Sequence, residues 1–315
     1  MRYPYYWPDE HPNDPRIFVP NIEFYITNVC NLACPQCNRF NDHNFAGGQD
    51  WKDYEEVYTA WSKKIRLLKV TILGGEPLLN PSICDWIRGI NRLWDKRVNL
   101  LTNGTRLNQV PGLYDAMMNY RRAGGNWIGI SVHNVNDLNR YFEEVKKFLP
   151  GQLDFWEGKD NPETWGSDYS FQDKNQVRVN LYIQDSFYKS AVQKNSLGKF
   201  TLHQSNPVEA HDVCGFAKCQ CYHFIRGKLY KCGPVGLFPE FDQQHHFDIT
   251  NEDRDLLNSY QPLTVDEFDN RGQQFIDDID KVIPQCKFCS SSLEENQQIK
   301  SLNKVKNATS SFNIR

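Results

Sequence analysis

Apolar residues recur along this chain with two alternating periods from residue 21 to about residue 203. At residues 21–27, Asn-Ile-Glu-Phe-Tyr-Ile-Thr, every second position is apolar and the residue types are aromatic or β-branched, which predicts a strand. Residues 51–67 place Trp51, Tyr54, Val57, Tyr58 and Trp61 at helical spacing. A short strand at 69–73 runs into two glycines, and 81–94 reads as a helix with Asn80 as its cap and Pro81 in its first turn. A strand at 97–102, a helix at 113–122, a strand at 127–132, a helix at 136–148 and a strand at 176–183 follow, with 199–203 as the last candidate strand. Strands separated by helices of this length imply parallel pairing through crossover helices. The pattern alone fits a closed barrel or an open sheet equally.

Other stretches fall outside that rhythm. Residues 1–20, rich in Pro, Tyr and Asp, read as an extended arm. Residues 151–175 have weak periodicity and read as a long irregular insertion, a kind of loop that is often functional. From residue 206 the alternation stops, and six of the ten cysteines fall between Cys214 and Cys289. The expected organisation is an arm at 1–20, an α/β domain at 21–205, a cysteine-centred domain at 206–300 and a polar tail at 301–315.

Composition narrows the function. The net charge of -3 argues against general nucleic-acid binding, which needs a basic surplus. The 8 Trp, 15 Tyr and 19 Phe read as packing residues. No apolar run is long enough to span a membrane, and the N-terminus lacks a secretory pattern, so the expected location is cytoplasmic. Thiols stay reduced there, and ten cysteines then point to metal or cluster ligation rather than disulfides.

The strongest chemical signal is Cys30-Asn-Leu-Ala-Cys34-Pro-Gln-Cys37, directly after the first strand. Thiolates suit iron–sulfur clusters or zinc. Three of them leave one iron of a cube open, whereas structural zinc takes four ligands; a zinc knuckle borrowing His43 is the competing reading. Three more motifs end successive predicted strands: Gly74-Gly75-Glu76-Pro77, Thr102-Asn103-Gly104, and Ser131-Val132-His133-Asn134. The two glycines suit close approach of backbone to a ligand, and Glu76 offers a carboxylate to an ammonium group. Each of these motifs taken alone is also an ordinary turn or a structural histidine.

The C-x3-C-x2-C loop resembles the signature of the radical S-adenosylmethionine superfamily, over roughly residues 20–205. The resemblance implies an α/β fold, a six-strand partial (β/α)6 TIM-like barrel. It implies a radical-generating [4Fe–4S] cluster on Cys30, Cys34 and Cys37, with the open iron chelated by S-adenosylmethionine. Gly74, Gly75, Glu76 and Pro77 would hold the methionine amino group, and Thr102, Asn103 and Gly104 would line the cofactor pocket. Ser131 would approach the ribose, His133 and Asn134 would face the radical or substrate, and Asn180 would be a candidate for the methionine carboxylate. The family usually has an aromatic residue before the third cysteine; Gln36 stands there.

Downstream, Cys214…Gly227-x4-Cys232…Cys286-x2-Cys289 resembles the auxiliary-cluster region of the SPASM/Twitch subgroup. Cys214, Cys232, Cys286 and Cys289 would hold an auxiliary [4Fe–4S] cluster that takes part in electron transfer. Spacing allows Cys219 or Cys221 in place of Cys214, and a zinc ribbon is the competing structure. Six cysteines fall short of the eight ligands of two clusters. Cys84, in a predicted helix, reads as a buried small hydrophobe.

Three functions fit. The first two are radical oxidoreductases, of dehydrogenase, epimerase or peptide-modifying type. One acts on a peptide or protein; the other acts on a small molecule of aminocyclitol, sugar or nucleoside type. The third is a non-catalytic iron–sulfur or zinc protein, which would not need a methionine-binding motif. About twenty residues before the first strand are too few for a leader-peptide-binding domain, which shifts weight towards small molecules. Flavodoxin or ferredoxin is the implied type of electron donor.

Overall fold

The computed structural model describes residues 13–34, 36–120, 125–164, 166–184, 187–188 and 190–294. The first half runs β1 (Ile17–Tyr25), α1 (Trp51–Ser62), β2 (Ile65–Leu73), α2 (Ile83–Trp94), β3 (Asn99–Thr102), α3 (Leu113–Met118), β4 (Trp127–Val132) and α4 (Leu138–Phe148). Then come β5 (Leu153–Glu157), β6 (Tyr169–Asp173), β7 (Arg178–Ile183), β8 (Phe187–Tyr188), β9 (Val192–Lys194) and β10 (Phe200–Leu202). The last third holds α5 (Pro207–Asp212), α6 (Gly215–Lys218), β11 (Cys221–Ile225), β12 (Lys228–Tyr230), α7 (Gly233–His245), α8 (Asn251–Asn258), α9 (Phe268–Asp277) and β13 (Leu293–Glu294).

One nine-stranded sheet has the order β12-β11-β1-β2-β3-β4-β7-β6-β5. The run from β11 to β7 is six parallel strands, so the parallel-dominated α/β architecture is as expected. Its two faces differ sharply. Phe224, Phe24, Ile72, Leu100, Ile128 and Val179 stand in one row across the six strands and are fully buried. The Phe24 ring packs edge-on against Tyr58 of α1 and Trp94 of α2, with centroids 5.3 and 5.5 Å apart. One residue back along each strand the row is His223, Glu23, Thr71, Asn99, Trp127 and Arg178. A closed barrel fills that face with branched apolar layers. Here it carries polar and ionisable groups, which marks it as the chemical face.

Near the strand ends the second face is apolar again. Tyr25, Leu73 and Ile225 join Phe40, Phe45, Leu237, Phe238 and Phe241 in a second core, which seats α7 over the exit of β1.

Several expectations are corrected. The candidate strand at 199–203 is β10, which pairs only with β9 through the tight turn Asn195–Lys199. The sixth parallel strand is β11, which lies beyond β1 and comes from the cysteine-rich region. The 151–175 segment is not irregular: β5 and β6 pair antiparallel and extend the sheet past β7. Their alternation (Leu153, Phe155; Tyr169, Phe171) is interrupted by the eleven mostly polar residues 158–168 between them. β1 begins at Ile17, inside the expected arm, and residues 1–12 lie outside the described residues, as do 121–124 and the tail. Helix α1 stops at Ser62 because the β-rich run from Ile65 takes over. Ser82 rather than Asn80 caps α2; Asn80 Oδ1 instead accepts from the Ser82 amide and hydroxyl. Cys84 is half-buried rather than buried, its thiol facing the Pro111 carbonyl.

Candidate active site and cysteine cavity

The residues after β1 form the loop that carries Cys30, Cys34 and Cys37 at the C-terminal end of the parallel strands. All three cysteines are half-buried. Turn bonds fix the loop: Cys37 N–H donates to Cys34 O at 3.2 Å, and Phe40 N–H to Cys37 O at 3.0 Å. Phe40 is fully buried against Phe238 of α7, which anchors the loop's far side. Gln36, at φ 64°, accepts from the Ser190 amide at 2.8 Å and ties the loop to the segment between β8 and β9. A side chain with an amide acceptor is thus used where the resemblance leads one to expect an aromatic ring.

The Gly74–Pro77 turn sits directly against this loop. Gly75 N–H donates to Thr27 O at 2.7 Å and Glu76 N–H to Val29 O at 2.8 Å. A Cβ on Gly74 would fall 2.5 Å from Thr27 O, and one on Gly75 would fall 2.4 Å from Val29 O. The glycines therefore permit close approach to the cysteine loop's own backbone. Glu76 is likewise absorbed by the fold. It is fully buried, and its carboxylate accepts from Thr102 Oγ1 at 2.6 Å, Asn103 N at 2.7 Å and Leu78 N at 2.9 Å. Burial pushes its pKa up while those three donors oppose the rise. Pro77 opens the buried turn that follows.

Asn103 completes the junction. Its Nδ2 donates to Asn31 Oδ1 at 3.0 Å and approaches Cys30 Sγ at 3.9 Å, while its Oδ1 accepts from Thr105. Gly104 sits at φ 70° beside Ile130 and takes a bond from its amide to Thr102 Oγ1. The motifs of β1, β2 and β3 thus form one hydrogen-bonded unit. At the end of β4, Ser131 is in register with Tyr182 of β7, and both are half-buried. His133 is half-buried, and burial lowers its pKa. Asn134 is exposed and caps the next turn through Asn136 N–H. Asn180 is fully buried, accepting from Ser170 Oγ at 2.7 Å and donating to Tyr182 Oη.

Six of the other seven cysteines converge on a cavity of about 490 Å³: Cys214, Cys219, Cys221, Cys232, Cys286 and Cys289. They divide into two groups. Burial raises the Cys232 and Cys289 pKa values, and the neighbouring charges that add to this are Cys214 and Cys286 for both, with Cys232 as well for Cys289. Cys286 is raised by burial and by Cys214. Four thiols that oppose one another's ionisation are a soft donor set that a cationic centre would stabilise, so this group fits a cluster. Cys219 and Cys221 instead lie beside each other and Glu23, although Cys214 also feels Cys219. The resemblance favours Cys214 and spacing allows Cys219 or Cys221 in its place; Cys214 is among the neighbouring charges that raise Cys232, Cys286 and Cys289.

Sequence reasoning missed Glu23, Arg39 and His223. Arg39 Nη2 lies 2.5 Å from Glu23 Oε2, and His223 Nδ1 lies 3.1 Å from the same oxygen. Burial raises the Glu23 pKa, but His223 and Arg39 outweigh it and hold the carboxyl at about 2. The available signal was the alternation itself: Glu23 and His223 occupy the positions between the apolar residues of β1 and β11.

Comparison with known proteins places this junction in a family. Residues 24–153 match the model of the Radical SAM superfamily and constitute a radical SAM domain. Its cofactors are a [4Fe–4S] cluster and S-adenosylmethionine. Among curated relatives, the probable GTP 3′,8-cyclase of Methanocaldococcus jannaschii is 30% identical over 133 residues, 41% of each chain. The GTP 3′,8-cyclase of Clostridium perfringens (strain SM101) is 24% identical over 194 residues, 61% of this chain and 54% of that one. The matched parts span about half the length of these relatives or less. Among the described residues no helix is long and apolar enough to cross a membrane.

Proposed function

We propose that the protein is a radical enzyme in which Cys30, Cys34 and Cys37 hold the catalytic cluster and Cys214, Cys232, Cys286 and Cys289 an auxiliary [4Fe–4S] cluster. When bound, the catalytic cluster and S-adenosylmethionine supply a 5′-deoxyadenosyl radical that takes a hydrogen atom from the substrate. The observation that carries this reading is the locked junction around the cysteine loop. Glu76 and Asn103 bind three loops into one piece, so the thiols and the backbone of residues 74–77 keep a fixed relation. Such preorganisation is what a site needs to hold a reactive group in place. Gly74, Gly75 and Pro77 contribute their backbone to the methionine end, with Glu76 as a positioning residue; Thr102, Gly104 and Ser131 border the nucleoside end. His133 and Tyr182, at the mouth of the polar face, are the residues offered to substrate.

The substrate is a peptide or a small molecule of aminocyclitol, sugar or nucleoside type. The relatives' names, GTP 3′,8-cyclases, favour the nucleoside side of that range. The auxiliary cluster's role is electron transfer, with reducing equivalents from flavodoxin or ferredoxin. In Cys34→Ala, assayed anaerobically with dithionite, 5′-deoxyadenosine formation should fall to background while about half of the bound iron is retained. An unchanged yield sinks the proposal.

A further inference from the structure

A second set of metal-ligand side chains lies in the wall of the cysteine cavity, apart from the four grouped thiols. Glu23 of β1 stands opposite His223 of β11, and Cys221 occupies the same face two residues before His223. The ligand atoms of Glu23, Cys221 and His223 all lie within 4.8 Å of one another. Cys219, just outside the strand, lines the same cavity as Glu23 and Cys221, its thiol donating to Phe216 O at 3.6 Å. His223 is fully buried; its Nδ1 lies 3.1 Å from Glu23 Oε2, and its Nε2 has no hydrogen-bond partner among the described residues. Buried imidazoles are ordinarily bonded or coordinated.

We propose that Cys219, Cys221, His223 and Glu23 bind a single divalent ion of the zinc class. Two thiolates, an imidazole and a carboxylate make a four-ligand set that suits tetrahedral zinc. Zinc–ligand bonds of about 2.0–2.3 Å put neighbouring donors about 3.3–3.8 Å apart, so the three converged atoms need to close by only about 1 Å.

Charge supports the same assignment. Two thiolates and one carboxylate around a divalent ion leave one net negative charge. The Arg39 guanidinium, only 6% exposed, offsets it through Glu23 Oε2 and leaves Oε1 to the ion. Arg39 is itself held over the Phe216 ring at 5.1 Å, and Phe216 packs edge-on against His223 at 4.8 Å. A Cβ on Gly233 would sit 2.0 Å from Arg39 Nη1, so the glycine after Cys232 makes room for the guanidinium. The site rests on this geometry and not on the radical reading.

The test uses the full chain, purified anaerobically after growth with zinc and with iron–sulfur reconstitution. Elemental analysis should give about one zinc per chain beside the iron, and zinc-edge absorption should show two sulfur and two lighter neighbours. Cys221→Ser and His223→Ala should each lower retained zinc at least about tenfold with iron unchanged. Cys286→Ser should do the reverse. Zinc-free wild-type protein, a zinc site of four sulfurs, or iron lost together with zinc in Cys221→Ser would each overturn the proposal. Should a variant fail to fold, the wild-type spectrum decides.

Discussion

Glu76 shows how a motif residue can brace the loops around it. A fully buried carboxylate with three donors is a strut, and the groups it joins belong to β2 and β3. Glu76→Gln keeps the shape but turns an amide N–H towards a donor. Charge-assisted bonds of this kind contribute about 1.5–3 kcal/mol each, so a loss of about 2 kcal/mol is expected in urea unfolding. S-adenosylmethionine affinity should fall with it, because the loops lose their common anchor. Glu76→Ala should be worse, leaving three buried donors unpaired.

Among the elements, α2 packs closely against α1. Gly89 lets the Trp51 ring lie on α2; a Cβ there would come within 2.1 Å of Trp51 Cζ2. Gly89→Ala gains about 1 kcal/mol of helix propensity. It overpacks a core that charges about 1–3 kcal/mol for excess volume, and the rigid indole makes the upper end apply. The net expectation is a lowered Tm by thermal circular dichroism.

The same elements explain what was legible in the sequence. Strands β1–β4 and β7 announce themselves through two-residue alternation, and α1, α2 and α4 through helical spacing. β11 shows the same alternation, but its neighbours are set by pairing across about two hundred residues, which no local pattern encodes. The cysteine loop and its motifs were legible because their spacing is local. The partners that give Glu76 and Asn180 their roles, and the grouping of six thiols into four and two, arise only from tertiary placement.

Across the whole molecule, Asp253 clamps the C-terminal half. Its carboxylate accepts from Lys287 Nζ at 2.6 Å and Gln204 Nε2 at 2.8 Å, joining α8 to the Cys286–Cys289 turn. Burial pushes its pKa up, but Lys287 and Gln204 hold it below the usual aspartate range. A depressed carboxylate contributes stability above its unfolded pKa of about 3.9 and loses it as pH falls through the folded value. The C-terminal half should therefore loosen below about pH 4, seen as a falling urea midpoint. Asp253→Asn should flatten that acid limb and, since Lys287 is partly solvated, remove about 1–2 kcal/mol at neutral pH.

The seating of β11 beside β1 has a consequence for dissection of the chain. Five consecutive residues, Asn21 to Tyr25, are paired with Cys221 to Ile225 along the flank of the sheet. Truncation after residue 205 would strip that cover and bare a row of amides and carbonyls, a template for edge-to-edge aggregation. The shortened chain should elute as soluble oligomers or precipitate, and a monomer in light scattering would show that β1 tolerates an open edge.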